Sequence, residues 1–185
     1  HETLQQGGRP AFESRLVLAA TLSPSYGIYS GYEHCENVPV KPGSEEYLDS
    51  EKYEAKERSL DGGILPLVGR LNRIRRESPA LRQLRDLAFL ETENEHLIAY
   101  AKRAAGETVI VCVNLDARGP QAGSCEVPWY LGLPHEFRVR DLLDGSVYTW
   151  TTGRNYVRLA PGRMAHVLRV EAPGTATAGA LVARA

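Results

Sequence analysis

LIAYAKRAAGETVIVCVNL, residues 97–115, decides the architecture of the C-terminal half of the chain. Two apolar runs rich in β-branched residues, 97–102 and 108–115, flank Ala105-Gly106, a turn signal. Working outward, the same strand-and-turn pattern returns at 122–127, 135–142, 146–150, 155–160 and 165–170. Glu93-Asn94, Asp144-Gly145, Gly153 and Pro161-Gly162 punctuate it. Seven short strands at this pitch predict an antiparallel β-sandwich over 86–171. Beyond it, residues 172–185 are rich in Ala, Gly and Thr with little to bury, so a disordered tail is expected.

Upstream of residue 86 the period is helical. Pro10 suits a first helical turn, and Phe12, Leu16 and Ala19 or Ala20 follow at helical spacing, which predicts a helix over 10–22 stopped near Pro24. A second helix, 66–78, opens with Pro66 and carries Leu67, Leu71 and Ile74 as its apolar stripe, with Pro79 just past its end. Between them, residues 26–32 form a short aromatic run bounded by glycine that reads as a buried strand. A polar stretch over 34–63 follows, and loops of that length are usually functional. One strand between two helices makes no sheet of its own. The front half therefore reads as the last unit of a larger α/β structure, and the class as α/β plus all-β. Cut from its neighbours, such a unit should bare Leu16, Leu18 and Ile28. The start at His1 rather than Met is what a processed product or a partial coding sequence would give.

Composition narrows the function. The 185 residues are 43% hydrophobic and 24% charged, enough for a core. A net charge of −1 offers no basic field for nucleic acid. No apolar run approaches the ~20 residues of a membrane-spanning helix, and no export pattern is present. Three cysteines without CxxC spacing read as reduced thiols of a cytoplasmic protein. His34, Cys35 and Glu36 are adjacent rather than spaced as ligands, so no metal is expected, and no cofactor motif occurs.

Three stretches carry a family likeness: Leu4–Phe12 running into Leu18–Pro24, Gly27–Glu33 with Glu36-Asn37, and Glu45–Tyr53. Together they resemble the α-1,4-glucan:maltose-1-phosphate maltosyltransferases, a branch of glycoside hydrolase family 13, the α-amylase superfamily. The resemblance covers roughly residues 1–171. It implies that residues 1–85 are the end of a (β/α)8 barrel, with 10–22 as its seventh helix, 26–32 its eighth strand and 66–78 its eighth helix. Residues 86–171 would be the C-terminal sandwich. The implied reaction moves maltosyl units from maltose 1-phosphate to the non-reducing end of an α-1,4-glucan by a retaining double displacement, which needs two carboxyl groups about 5 Å apart. In the family these arise upstream of the region matched here, so no catalytic residue is expected and the chain alone should be inactive. Substrate partners follow from the resemblance, as does a homodimer for the full enzyme.

The resemblance places Lys52 and Tyr53 at the outer glucose of the donor. An ammonium with three donors and a phenol with a ring face and a hydroxyl suit a sugar. Glu33 and Asn37 are expected at the pocket rim, lining it or bracing it. Tyr29 and Tyr32 are expected as barrel-wall packing, and Gln5, Gly7 and Gly8 as a turn. Tyr148 and Trp150 alternate onto one strand face, where core packing competes with a glucan patch; Trp129 and Tyr130 lie elsewhere in the sandwich. Two rival readings stand beside the transferase. One is a non-catalytic module that binds glucan or a subunit, and the other is part of a different α-glucan-active family 13 enzyme.

Overall fold

The structure, a computed structural model, describes residues 2–44, 46–48 and 55–171. Its central element is a six-stranded antiparallel sheet in the order β1-β2-β3-β8-β5-β6. The strands are β1 (Leu87–Leu90), β2 (Leu97–Ala104), β3 (Glu107–Asn114), β5 (Glu136–Asp141), β6 (Val147–Thr151) and β8 (Ala165–Val170). The remaining strands, β4 (Gln121–Val127) and β7 (Gly153–Leu159), pair as a separate two-stranded sheet. Seven expected strands are present within a residue or two. The eighth, β1, is a four-residue edge strand whose Leu-Ala-Phe-Leu is too short to show a period; it pairs Leu87 with Lys102 and Leu90 with Ala99.

Residues 108–114 of β3 are all buried. Such a strand needs cover on both faces, and it has two different covers. Val109, Val111 and Val113 point toward the helices, in a core with Phe12, Leu16, Val17, Ala20, Leu71 and Ile74. Ile110 and Cys112 point the other way, against Cys125, Val127, Val157 and Leu159 of the two-stranded sheet. The fold is thus three layers, with helices and small sheet on opposite sides of the large one.

The helical layer holds α1 (Glu2–Leu22) and α2 (Leu65–Glu77). A helix beginning at residue 10 is overtaken by one that starts at Glu2 and breaks at Gly8, whose φ of 55° and ψ of −152° are not helical. The expected turn at Gln5, Gly7 and Gly8 shrinks to this single residue. The break suits Pro10, which tolerates only the first turn of the segment that follows. Phe12, Leu16, Val17 and Ala20 form the stripe buried on the sheet. Leu16, expected to be bare, is 2% exposed.

Residues 26–32 do not form a strand. A strand exists only by exchanging backbone hydrogen bonds with a neighbour, and this segment has no ladder partner among the described residues. It runs as irregular backbone into a 3-10 turn, Tyr32–His34, flanked by Gly31 and Cys35 in the left-handed region. Tyr32 packs its ring 4.8 Å from that of Phe12 and donates its hydroxyl to the Phe12 carbonyl.

Helices and sheet are joined where α1 ends. The last four carbonyls of a helix lack intrahelical donors. Arg75 of α2 donates to the carbonyls of Ala20, Ser23 (2.7 Å) and Pro24 (2.6 Å) while its guanidinium lies 4.7 Å from the centre of the Tyr26 ring. Lys102 of β2, fully buried, donates to Leu22 O at 3.2 Å. Burial, with Arg75 nearby, pulls its ammonium below the usual lysine range. Beside it, the hydroxyls of Thr21 and Tyr100 meet at 2.6 Å. Just past the same end of α2, Glu107 of β3 accepts from Ser78 Oγ, Ala80 N and Arg169 Nε at 2.6, 3.1 and 2.7 Å. Arg75→Met should lower unfolding stability by about 1.5–3 kcal/mol, the range for charge-assisted hydrogen bonds, without changing the helical circular dichroism. A urea midpoint equal to that of the parent would show that the end of α1 needs no cap.

Candidate functional site

The polar stretch after Tyr32 is drawn closed at its base. Arg58 forms a two-pronged pair with Glu36, Nε to Oε1 at 2.9 Å and Nη2 to Oε2 at 3.0 Å, and donates to Ser30 Oγ at 3.1 Å. A side chain on Gly31 would collide with the Glu36 carboxylate, its Cβ falling 2.2 Å from Oε2. Further on, Ile64 N donates to Glu33 O at 2.7 Å, at the approach to α2. Gly63 permits that approach, since a Cβ there would lie 2.0 Å from the same oxygen. Residues 30–36 and 58–64 are thus two sides of one loop mouth.

Inside the mouth, the loop folds back on itself. Val40 N donates to Glu46 O and Leu48 N to Val38 O, at 2.9 and 2.8 Å, around a bridge between Pro39 and Tyr47. The Tyr47 ring stacks on Tyr29 with centroids 5.5 Å apart and planes 22° from parallel. Burial, with Tyr29 and Glu36 close by, pushes the Tyr47 phenol above its usual range. Tyr32 packs on Phe12 of α1, whereas Tyr29 is 56% exposed and stacks on Tyr47 of the loop.

Glu33 and Asn37, expected at a pocket rim, both hold backbone. Glu33 Oε2 accepts from Gly31 N at 3.1 Å, and Asn37 Nδ2 donates to Leu4 O at 3.2 Å, tying the loop to the segment of α1 before its break. Lys52 and Tyr53, with Glu45, Asp49 and Glu51, lie outside the described residues, as does the tail from 172. Several described carboxylates are already engaged: Glu36 by Arg58, Asp141 by His166 Nδ1 at 2.7 Å, and Glu171 by Arg138 and Arg140. Burial raises the Cys35 thiol, which keeps it protonated and poorly nucleophilic. No group of three or more His, Cys, Asp or Glu among the described residues could hold a metal ion.

In the sandwich, the aromatic residues divide between core and surface. Trp150 is 6% exposed and packs in the core between the sheets, and Tyr148 lies edge-on to the buried His166 ring. Trp129 and Tyr130, which the alternating pattern did not single out, are 81% and 55% exposed. Their setting, Pro128 to Gly132 just after a strand, is the signal that points outward: two adjacent large rings in a turn cannot both reach one core.

The Arg58 guanidinium holds the Glu36 carboxyl below the usual carboxylate range. A depressed folded value means that the pair stabilises the loop mouth above the unfolded glutamate pKa of about 4.3, and that this is lost as pH falls through the folded value. Arg58→Ala and Gly63→Ala should each speed limited proteolysis within 37–57 several-fold at neutral pH. Cleavage at the parental rate in both variants would place the closure elsewhere.

The family profile described as "GLGE, C-terminal" matches residues 89–170. The chain is 56% identical to the α-1,4-glucan:maltose-1-phosphate maltosyltransferase 1 of Streptomyces coelicolor over 94% of its own length and 27% of that protein's. It is 46% identical to the maltosyltransferase of Mycolicibacterium smegmatis, over 92% of this chain and 26% of the other. The chain therefore spans about a quarter of the length of the curated relatives it matches. Among solved structures, the maltogenic α-amylase AmyB from Thermotoga neapolitana superposes with a TM-score of 0.64 at 12% identity, covering 89% of this chain and 37% of that one. The α-amylase of Geobacillus thermoleovorans gives 0.62 at 18%, covering 89% and 34%. Identity that low establishes the fold alone, one shared with α-amylase-family enzymes. On its sequence, the chain belongs to the α-1,4-glucan:maltose-1-phosphate maltosyltransferase family and corresponds to the C-terminal region of its members.

Proposed function

We propose that this chain is the C-terminal part of a retaining maltosyltransferase that moves maltosyl units from maltose 1-phosphate to the non-reducing end of an α-1,4-glucan and releases phosphate. The observation that supports it most is 56% identity to a protein bearing that name, sustained over nearly the whole chain. In this reading, residues 1–85 close a (β/α)8 barrel and 86–171 form the sandwich that follows it. Residues 26–32 then become the eighth strand once a neighbouring strand supplies ladder partners. A hollow of about 180 Å³, lined by Arg15 together with Leu16, Ala19, Ile28, Tyr29 and Tyr32, supports this, because it lies along the segment that would need covering.

The loop after that strand would stand at the barrel face where such enzymes place their chemistry. Lys52 and Tyr53 are assigned to the outer glucose of the donor, and Glu33, Asn37 and the Arg58–Glu36 pair to holding the loop that bears them. The nucleophile that attacks the anomeric carbon, and the acid that becomes the base for the acceptor hydroxyl, come from outside this chain. The full enzyme is read as a homodimer on the strength of the family likeness. A cytoplasmic setting is supported by three free cysteines. No helix of the described residues is long and apolar enough to cross a membrane.

Purified alone, the chain should release no phosphate from maltose 1-phosphate in the presence of a short malto-oligosaccharide. Joined to the upstream part of a family member, it should restore release with glucan growth in maltosyl steps. In that assembly, Lys52→Met and Tyr53→Ala should each raise KM for maltose 1-phosphate about tenfold or more. Turnover by the isolated chain would overturn the assignment of catalysis to other segments. An unchanged KM would remove Lys52 and Tyr53 from the donor.

A further inference from the structure

We infer that a cleft on the sandwich, at the edge strand β1 and the turn after β4, is a surface site for an α-1,4-glucan chain. The cleft encloses about 470 Å³, within the range of small-ligand sites, and Phe89, Glu91, Glu126, Trp129 and Tyr130 line it. Two of these are large aromatic side chains left more than half exposed, Trp129 at 81% and Tyr130 at 55%, whereas Phe89 turns its ring edge-on to Tyr100, 5.9 Å away on the helical face of the sheet. The two adjacent rings stand 6.3 Å apart at 78°, forming a corner rather than a flat shelf.

The walls are built. Residues Trp129–Leu131 form a 3-10 turn pinned by Leu131, which is buried in the core, and closed by Gly132 at a φ of 68°. Glu126 N donates to Glu91 O at 2.9 Å and Glu93 N to Ser124 O at 3.0 Å, joining β4 to the chain that leaves β1. The aromatic rings are thus presented by backbone already fixed, and ligand binding need not order it.

The polar groups select the ligand. The side chains of Glu91 and Glu126 have no hydrogen-bond or ion-pair partner among the described residues. Arg154, opposite Glu126 in the ladder, turns to Glu93 instead at 2.8 Å. A carboxylate only accepts hydrogen bonds, so the cleft sets uncompensated acceptors beside bare ring faces. A protein surface closing over them would have to desolvate both charges. A pyranose has the matching chemistry, with C–H faces for the rings and hydroxyl donors for the carboxylates, and a phosphate would be repelled. A corner of two rings fits the curving α-1,4 chain better than a flat β-1,4 ribbon. The choice of an α-1,4-linked glucan rests on the proposed function. A quaternary ammonium, which could use the same rings and carboxylates, is the rival chemistry.

The test uses the purified 185-residue chain, native electrophoresis through amylose-containing gels, and acrylamide quenching of tryptophan fluorescence with maltoheptaose. Because Trp150 is buried, the quenchable signal belongs to Trp129. Amylose should retard the chain, and maltoheptaose should shield Trp129. Trp129→Ala should weaken retardation at least tenfold, as should the double variant Glu91→Gln/Glu126→Gln. Tyr156→Ala, an exposed aromatic outside the cleft, should change nothing. Absence of retardation, retardation undiminished in Trp129→Ala, equal shielding by cellohexaose, or shielding by tetramethylammonium instead of maltoheptaose would each overturn the site. Phosphate release from maltose 1-phosphate is read separately, so either inference can fail while the other stands.

Discussion

Double-sided burial of β3 is the constraint from which the rest of the molecule follows. A strand with residues 108–114 all out of water must have a layer on each side, and neither layer is optional. On one side the requirement is met by α1 and α2, on the other by β4 and β7. The helices therefore share a core with the sheet instead of merely preceding it in the chain. The end of α1 becomes the joint of that core, where unpaired carbonyls meet Arg75 from the second helix and Lys102 from the sheet.

That joint also determines where the long loop begins and ends. The loop leaves the helical layer at Tyr32, whose ring and hydroxyl are spent on Phe12, and rejoins it at Ile64, which is buried in the same core. Glycines at 31 and 63 admit the close approaches that Glu36 and Glu33 make there. Arg58, placed between those ends, cross-links the mouth. The described ends of the loop are thereby tethered by charge-assisted and backbone hydrogen bonds.

On the sandwich, aromatic residues divide by the face they can reach. Trp150 sits on a strand whose inner face looks between the two sheets, and burial there offsets the loss of its freedom. Trp129 sits on a turn from which only Leu131 reaches the core. Two residues of one type thus contribute to stability and to surface chemistry respectively, and their backbone setting makes the difference.

Much of this was legible in the sequence. Period-two runs with glycine turns located seven of eight strands, and Pro66 with Leu71 and Ile74 located α2, because these patterns are local properties of a chain that buries one face. The motif around Lys52 and Tyr53 led to the family for the same reason: it is a string of residues, readable without coordinates. Other features depended on partners distant in the chain. Residues 26–32 have the composition of a strand but no ladder, since a strand is a relation between two segments. Leu16 looked bare until β3 lay beneath it. Arg58 and Glu36 are separated by loop, and no spacing rule pairs them. Trp129 and Trp150 are the same residue to a sequence and opposite in the fold. The sequence by itself determined which segments could pair and which chemistry they carry; only the tertiary structure decided which pairs were made, because burial and hydrogen bonding are settled between segments and not within them.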